Sequence, residues 1–532
     1  MAHLTRRSVL ASGLSSVLLT AFAQKVAAQG AGATVLKMAG TKAKSRLDPH
    51  VDVAWEVLMI LSAMYDTLVF QDNDGNIVPG LATSWTVSDD AMSYEFTLRD
   101  GVTFHDGTPF DAEAVKYNIE RIKALGPQSQ KAASLVSDVA SVEVVSPNVV
   151  RMIMAQPNGG LLFNLSLTYT GMVSPKASEE YGEEYHMHQA GTGPFMMTEY
   201  EVNDHYTLTR NPDYDWAPAI YSHDGPAMME TIEWRFLPEP ASRSVALMAG
   251  DFDVVFDLLP TSLGRVERSD EYEVLITHLS GQPTYWFLNT ELAPTDDINV
   301  RRAIMMGVDM NAAVEAIMRG IAPRAQGPLA AVTPEYAPSV SGMYPYDPEA
   351  AAKLLDEAGW TPGADGIRVK DGVPLTIKMQ MAGWGSSEPF SVYVQSELQK
   401  IGVAVELEMM AWAVSLEAGK NGTHNMLFTG GSGFAASDSL MPYFLSENAD
   451  AGYNFAKLRS AELDQLLLAA QAASDPDERL KLYQDAQTMI MDQAVILPIY
   501  DYAIAIGARA SVAEALDFGV TGLTPAVYDV KL

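Results

Sequence analysis

The chain has 532 residues, 67 Asp and Glu against 35 Lys and Arg, and no cysteine. That length exceeds one ordinary hydrophobic core and predicts two or more lobes. The acidic balance excludes nucleic acid and anionic lipid as partners and suits a soluble monomer. Without a thiol there is no disulfide, no thiolate metal site, no cysteine nucleophile and no lipid anchor on an N-terminal cysteine.

The first 28 residues read as an export signal rather than as part of the fold. Arg6-Arg7 opens a charged start, Leu10 to Ala23 is apolar and free of charge, and Ala21-Phe22-Ala23 and Val26-Ala27-Ala28 offer small-residue cleavage sites. The apolar run is too short to hold in a bilayer. The arginine pair and Lys25 resemble a twin-arginine (Tat) signal, although Val9 replaces its usual Phe. Cleavage would leave 32 basic residues against 67 acidic ones and a protein diffusing in a periplasm. No later stretch is apolar enough to insert into a membrane.

Taken in chain order, the elements predict an α/β protein with mixed sheets. Asp72-Asn73-Asp74-Gly75-Asn76 has the start of a calcium loop, but Ile77 and Thr83 occupy the positions that need Gly and Glu, so a tight hairpin turn is expected. His186 and His188 lack the further ligands of a metal site. In Gly191-Thr192-Gly193-Pro194 the proline removes an amide donor that a phosphate cradle needs. Asp347-Pro348 starts a helix that Gly359 stops. Leu375 to Met381 alternates as a strand, Val394, Leu398 and Ile401 recur at helical spacing before Gly402, and Val403 to Met409 alternates again. This strand–helix–strand unit predicts two parallel strands. Met426-Leu427-Phe428 follows as a third strand, and Asp475-Pro476-Asp477-Glu478 opens a late helix with capping-box spacing.

Catalytic constellations are missing. Gly430-Gly431-Ser432-Gly433 approaches a nucleophile elbow, but Phe434 stands where that motif needs glycine and no His–Asp partner is marked. Binding is better represented. Trp384 and Trp412 lie at or just beyond strand ends, and the glycine-rich segment follows a third strand. Ligands collect outside the carboxyl ends of such strands. The candidate binding residues are therefore Trp384, Trp412, Gly431, Ser432, Gly433 and Phe434, with glycines admitting a ligand to the main chain and rings supplying apolar contact.

Four further motifs carry a family resemblance. They are Pro79-Gly80-Leu81-Ala82-Thr83-Ser84-Trp85 with Leu98 to Phe110, then Gly191-Thr192-Gly193-Pro194-Phe195, then Phe287-Leu288-Asn289-Thr290 with Val300-Arg301-Arg302-Ala303-Ile304, and finally Ala494 to Tyr500. Across nearly the whole mature chain the sequence resembles the family 5 extracellular solute-binding proteins, which include dipeptide- and oligopeptide-binding proteins. The resemblance implies a two-lobed periplasmic binding protein (class II, cluster C type) with an extra domain on lobe one. Lobe one would comprise 34–70, 187–280 and 501–532, the extra domain 71–186, and lobe two 281–500. It also implies a monomer without cofactor or enzymatic activity that delivers a small solute to an ABC permease, with the ATPase across the membrane. Peptide-binding members carry Trp-x-x-Asp after the strand ending here at Phe428, and that Asp receives the ligand's α-ammonium. This chain has Gly431-Ser432-Gly433-Phe434 instead. Either another acid such as Asp438 takes the role, or the ligand is a sugar, opine or other conjugate rather than an ordinary peptide.

Overall fold

A computed structural model describes residues 34–41, 46–51, 55–383, 385–430, 433–519, 521–522 and 527–532. Two mixed sheets organise it. The first has seven strands in the order Tyr272–His278, Ala503–Arg509, Val254–Val255, Val35–Gly40, Thr231–Phe236, His205–Arg210 and Phe195–Glu201. Val35–Gly40 runs parallel to both of its neighbours, and the other pairs are antiparallel. The second has five, in the order Ala404–Met410, Thr376–Ala382, Met426–Thr429, Thr284–Leu288 and Ile496–Tyr500.

The strand–helix–strand unit folds as the alternation predicts. Thr376–Ala382 and Ala404–Met410 are parallel, with Thr376 opposite Ala404, and helix Ser387–Lys400 joins them. Gly402, at φ 86°, ends that helix in a conformation that costs a side chain dearly. The helix starts also hold: Asp347 Oδ1 accepts from the Ala350 amide and Asp475 Oδ1 from the Glu478 amide, each ahead of a proline at the first turn. At Asp72 the chain turns between antiparallel strands Val69–Gln71 and Ile77–Pro79, with the Asp72 carboxylate accepting the Asp74 and Asn76 amides. No group of three metal-ligating side chains occurs among the described residues.

The five-stranded sheet is buried by one core, and the seven-stranded sheet contributes to two. All five residues of Thr284–Leu288 are buried, as expected of a central strand covered on both faces. A separate antiparallel sheet, Ala82–Val87, Ser93–Leu98, Val149–Met154 and Val139–Ser146, shares a continuous core with the seven-stranded one. Among the described residues, the backbone passes between the two large sheets twice, each time by a short passage. Residues 279–283 lead from Tyr272–His278 to Thr284–Leu288, and residues 501–502 lead from Ile496–Tyr500 back to Ala503–Arg509. The passages lie side by side: the Leu279 amide donates to Tyr502 O, and Thr284 Oγ1 donates to Tyr500 O. Two bodies linked by so little backbone are built for a hinge.

Away from these passages, direct bonds also tie residues 471–479, which precede the last strand of the five-stranded sheet, to residues 89–159, which belong to the four-stranded sheet and its surroundings. The Gly159 amide donates to Gln471 O at 3.0 Å, and Arg479 Nη1 to Gly159 O at 3.1 Å. Ser474 Oγ donates to Asp89 O, and Gln471 Nε2 to Asp138 Oδ2. No helix among the described residues is long and apolar enough to cross a membrane.

Candidate functional site

Between the lobes lies a cavity of about 680 Å³, walled on one side by Lys131, Asp138 and Tyr169 and on the other by Trp412, Gly433 and Phe434. A second, smaller space of about 340 Å³ lies against the first lobe, lined by Tyr65, Phe70, Tyr221, Asp517 and Tyr528. Phe434 borders both. The larger volume falls in the range of sites for small organic solutes.

Phe434 belongs by sequence to the second lobe, yet its ring is buried in the core that surrounds the first. It is 7% exposed, and its centroid lies 6.1 Å from that of Tyr169. Burying such a ring is worth about 2–3 kcal/mol, so the residue joins the lobes as well as lining the cavities. Trp412 opens helix Trp412–Lys420, just past strand Ala404–Met410, and is 49% exposed at the cavity rim. Trp384, Gly431 and Ser432 lie outside the described residues.

The flanking glycines are needed by the chain itself. A Cβ on Gly430, at φ 147°, would stand 2.4 Å from Pro283 O, and one on Gly433, at φ 80°, would stand 2.3 Å from Ser439 Oγ. On the hinge passage, a Cβ on Gly281 would come within 2.3 Å of Gly433 O. Gly430 and Gly433 therefore lie directly against the 279–283 passage, where Gly430 meets the Pro283 backbone and Gly281 meets the Gly433 backbone, while a Cβ on Gly433 itself would meet the Ser439 side chain. For Gly433 this packing requirement stands beside the ligand approach expected from the sequence.

Asp438, the alternative acid, is placed by helix Ala436–Phe444. Its Oδ1 accepts from the Phe434 and Ala435 amides, both at 2.9 Å, which caps the helix start. Its Oδ2 lies 2.6 Å from Lys131 Nζ, which comes from the opposite lobe. Asp138, the other acid of this cavity, accepts from Gln156, Asn158 and Gln471. Sequence reasoning missed Lys131, Asp138 and Gln471. They belong to no motif, and only the meeting of the lobes brings them to the cavity.

Behind the smaller space, burial pushes the Asp66 carboxyl up to about 6, against the opposing donors Trp216, Thr192 and Tyr214. On the hinge, burial likewise raises Asp501 to about 6, with the Ala331 amide and Arg324 opposing. Ser280 and Gln282 on the other passage line the larger cavity.

Residues 76–453 match the family described as bacterial extracellular solute-binding proteins, family 5 Middle. Among curated proteins, the glutathione-binding protein GsiB of Salmonella paratyphi A is 29% identical over 452 residues, covering 83% of each chain. GsiB of Escherichia coli O157:H7 is 28% identical over 516 residues, covering 94% of each. Among solved structures, NikA from Brucella suis in complex with Fe(III)-EDTA superposes with a TM-score of 0.81 at 28% identity, covering 93% of this chain and 99% of that one. An ABC transporter substrate-binding protein from Sinorhizobium meliloti gives 0.74 at 26%, covering 94% and 99%. With two sheets, a double passage between them and a cavity where the lobes meet, the chain belongs to the family 5 bacterial extracellular solute-binding proteins, the solute-binding components of ABC importers.

Proposed function

We propose that this protein is exported to the periplasm by its Tat-like N-terminus, captures a small peptide-like solute between its lobes, and presents it as a monomer to an ABC permease. It performs no chemistry on the solute. The observation that carries this reading is the cavity of about 680 Å³ between two bodies joined by two short passages. Closure around a solute stabilises the closed form only by as much as the solute prefers it, which a two-sided cavity provides. The strand membership of the two sheets supports lobe one as 34–70, 187–280 and 501–532, and lobe two as 281–500. The shared core supports 71–186 as an addition to lobe one. Trp384, Trp412 and the segment Gly431, Ser432, Gly433 and Phe434 carry recognition, joined by Tyr169 from the other wall.

The peptide-like choice follows the names of the relatives, which include glutathione-binding proteins. A sugar, opine or other conjugate is the second reading, favoured by one observation: Lys131 already holds the carboxylate of Asp438. Thermal shift followed by titration calorimetry against glutathione, dipeptides, opines and sugars tests both. A melting temperature that climbs with concentration of one solute class supports capture, because ligand linkage is logarithmic in concentration. Turnover of a solute that binds, or no response to any class, would contradict it.

A further inference from the structure

Inside the larger cavity, Asp438 and the face of Phe434 form a seat for a cation, and the chain fills that seat itself. Lys131 Nζ lies 2.6 Å from Asp438 Oδ2 and 5.4 Å from the centroid of the Phe434 ring. A carboxylate beside an aromatic face is how proteins hold an ammonium group. Both side chains are largely enclosed, with 17% of Lys131 and 14% of Asp438 exposed. Among the described residues lining this cavity, Lys131 is the one lysine or arginine.

We propose that Lys131 is a specificity-determining residue: its ammonium occupies the cation seat, so that among peptide-like solutes the site disfavours those with a free ammonium there and accepts those blocked or uncharged at that end. This inference rests on the solute-binding reading above. An incoming ammonium has to displace Lys131 and leave that charge without its partner in an enclosed space, which is strongly unfavourable. Removing Lys131 does not disarm Asp438, because the Phe434 and Ala435 amides still hold Oδ1. Oδ2 then keeps the 3.2 Å bond from the Phe434 amide and has a lone pair left for a cation of the solute. Asp138, the other carboxylate of this cavity, has neutral amides as its partners, Gln156 on Oδ1 and Asn158 and Gln471 on Oδ2, so Asp438→Asn is the variant that tells the two carboxylates apart.

The test compares the full mature protein with Lys131→Met, using Ala-Ala with a free α-amine and its N-acetylated counterpart as probes in titration calorimetry. The expected result is that Lys131→Met gains about tenfold or more for free-amine Ala-Ala, a change of roughly 1.4 kcal/mol. It should gain nothing for the acetylated peptide and lose the gain when Asp438→Asn is added. Lys131→Arg should keep the wild-type rejection, which guards against a folding defect in the methionine variant. Equal binding of the free amine by wild type and Lys131→Met would overturn the proposal. So would a gain shared by the acetylated peptide, or no gain in a variant with wild-type circular dichroism. Failure of the capture reading would look different: the wild type would respond to no solute at all.

Discussion

Gly281→Ala tests the close contact between hinge and site loop. Gly281 sits at φ 90°, where a Cβ would stand 2.3 Å from Gly433 O, 2.5 Å from Gly433 C and 2.7 Å from Phe434 N. Tolerable contact begins at 3.0 Å and the nearest atom stands at 2.3 Å, so the Gly433 backbone has to retreat by about 0.7 Å or more. Overpacking of this kind costs about 1–3 kcal/mol, and the left-handed backbone adds about 1–2 kcal/mol for a residue with a Cβ. Gly320 is the matched control: its φ is 86°, but a Cβ there would meet nothing within 4 Å. Gly320→Ala pays the backbone cost alone, and the entropy that alanine removes from the unfolded chain, about 0.4–1 kcal/mol, is common to both. Urea unfolding should therefore show Gly281→Ala less stable than Gly320→Ala by about 1–3 kcal/mol. Gly281→Ala should also weaken the solute, because the displaced backbone carries Phe434. Equal losses in the two variants would refute the contact.

Three further perturbations follow from buried charge. Asp501 has a folded pKa of about 6, raised by burial, so its contribution is present below about 4 and is lost as pH rises through 6. Asp501→Asn should stabilise the protein by up to about 3 kcal/mol at pH 7.5, and by little at pH 4.5. An equal shift in urea midpoint at both pH values would contradict this. His50, pushed down to about 3 by burial and then by Arg121, and His105 and His424, pushed down to about 4 chiefly by burial, act in the opposite sense. The unfolded chain protonates them first, so wild-type stability should fall as pH drops below about 6.5. Arg121 holds Asp48 through both carboxylate oxygens, at 3.2 and 2.6 Å, and contacts His50 Nδ1 at 2.7 Å. Arg121→Met should cost about 3–5 kcal/mol by stranding the buried Asp48. A loss under 1 kcal/mol in urea unfolding would rule out that role.

Local periodicity and turn chemistry made much of the fold legible. The alternation at 375–381 and 403–409 gave two parallel strands, and the Asp-Pro pairs at 347 and 475 gave helix starts, because those signals act over a few residues. The seven-stranded sheet was not legible in this way. Val35–Gly40 finds its neighbours at Thr231–Phe236 and Val254–Val255, and no local pattern encodes such pairing. The same limit applied to the site. Phe434 stood out as a departure from the family motif, and its ring does border the cavity. Its burial in the opposite lobe's core, and the Lys131–Asp438 pair that spans 307 residues, exist only once the lobes meet. Gly433 was recognisable as special, but its structural partner, the hinge at Gly281, was not.

Small-angle scattering on the mature protein, alone and at saturation with the solute found by calorimetry, tests two-lobed capture most directly. The account predicts a smaller radius of gyration with solute, and a change that saturates with the calorimetric binding curve. An unchanged scattering profile at saturation would contradict closure of the lobes around the solute.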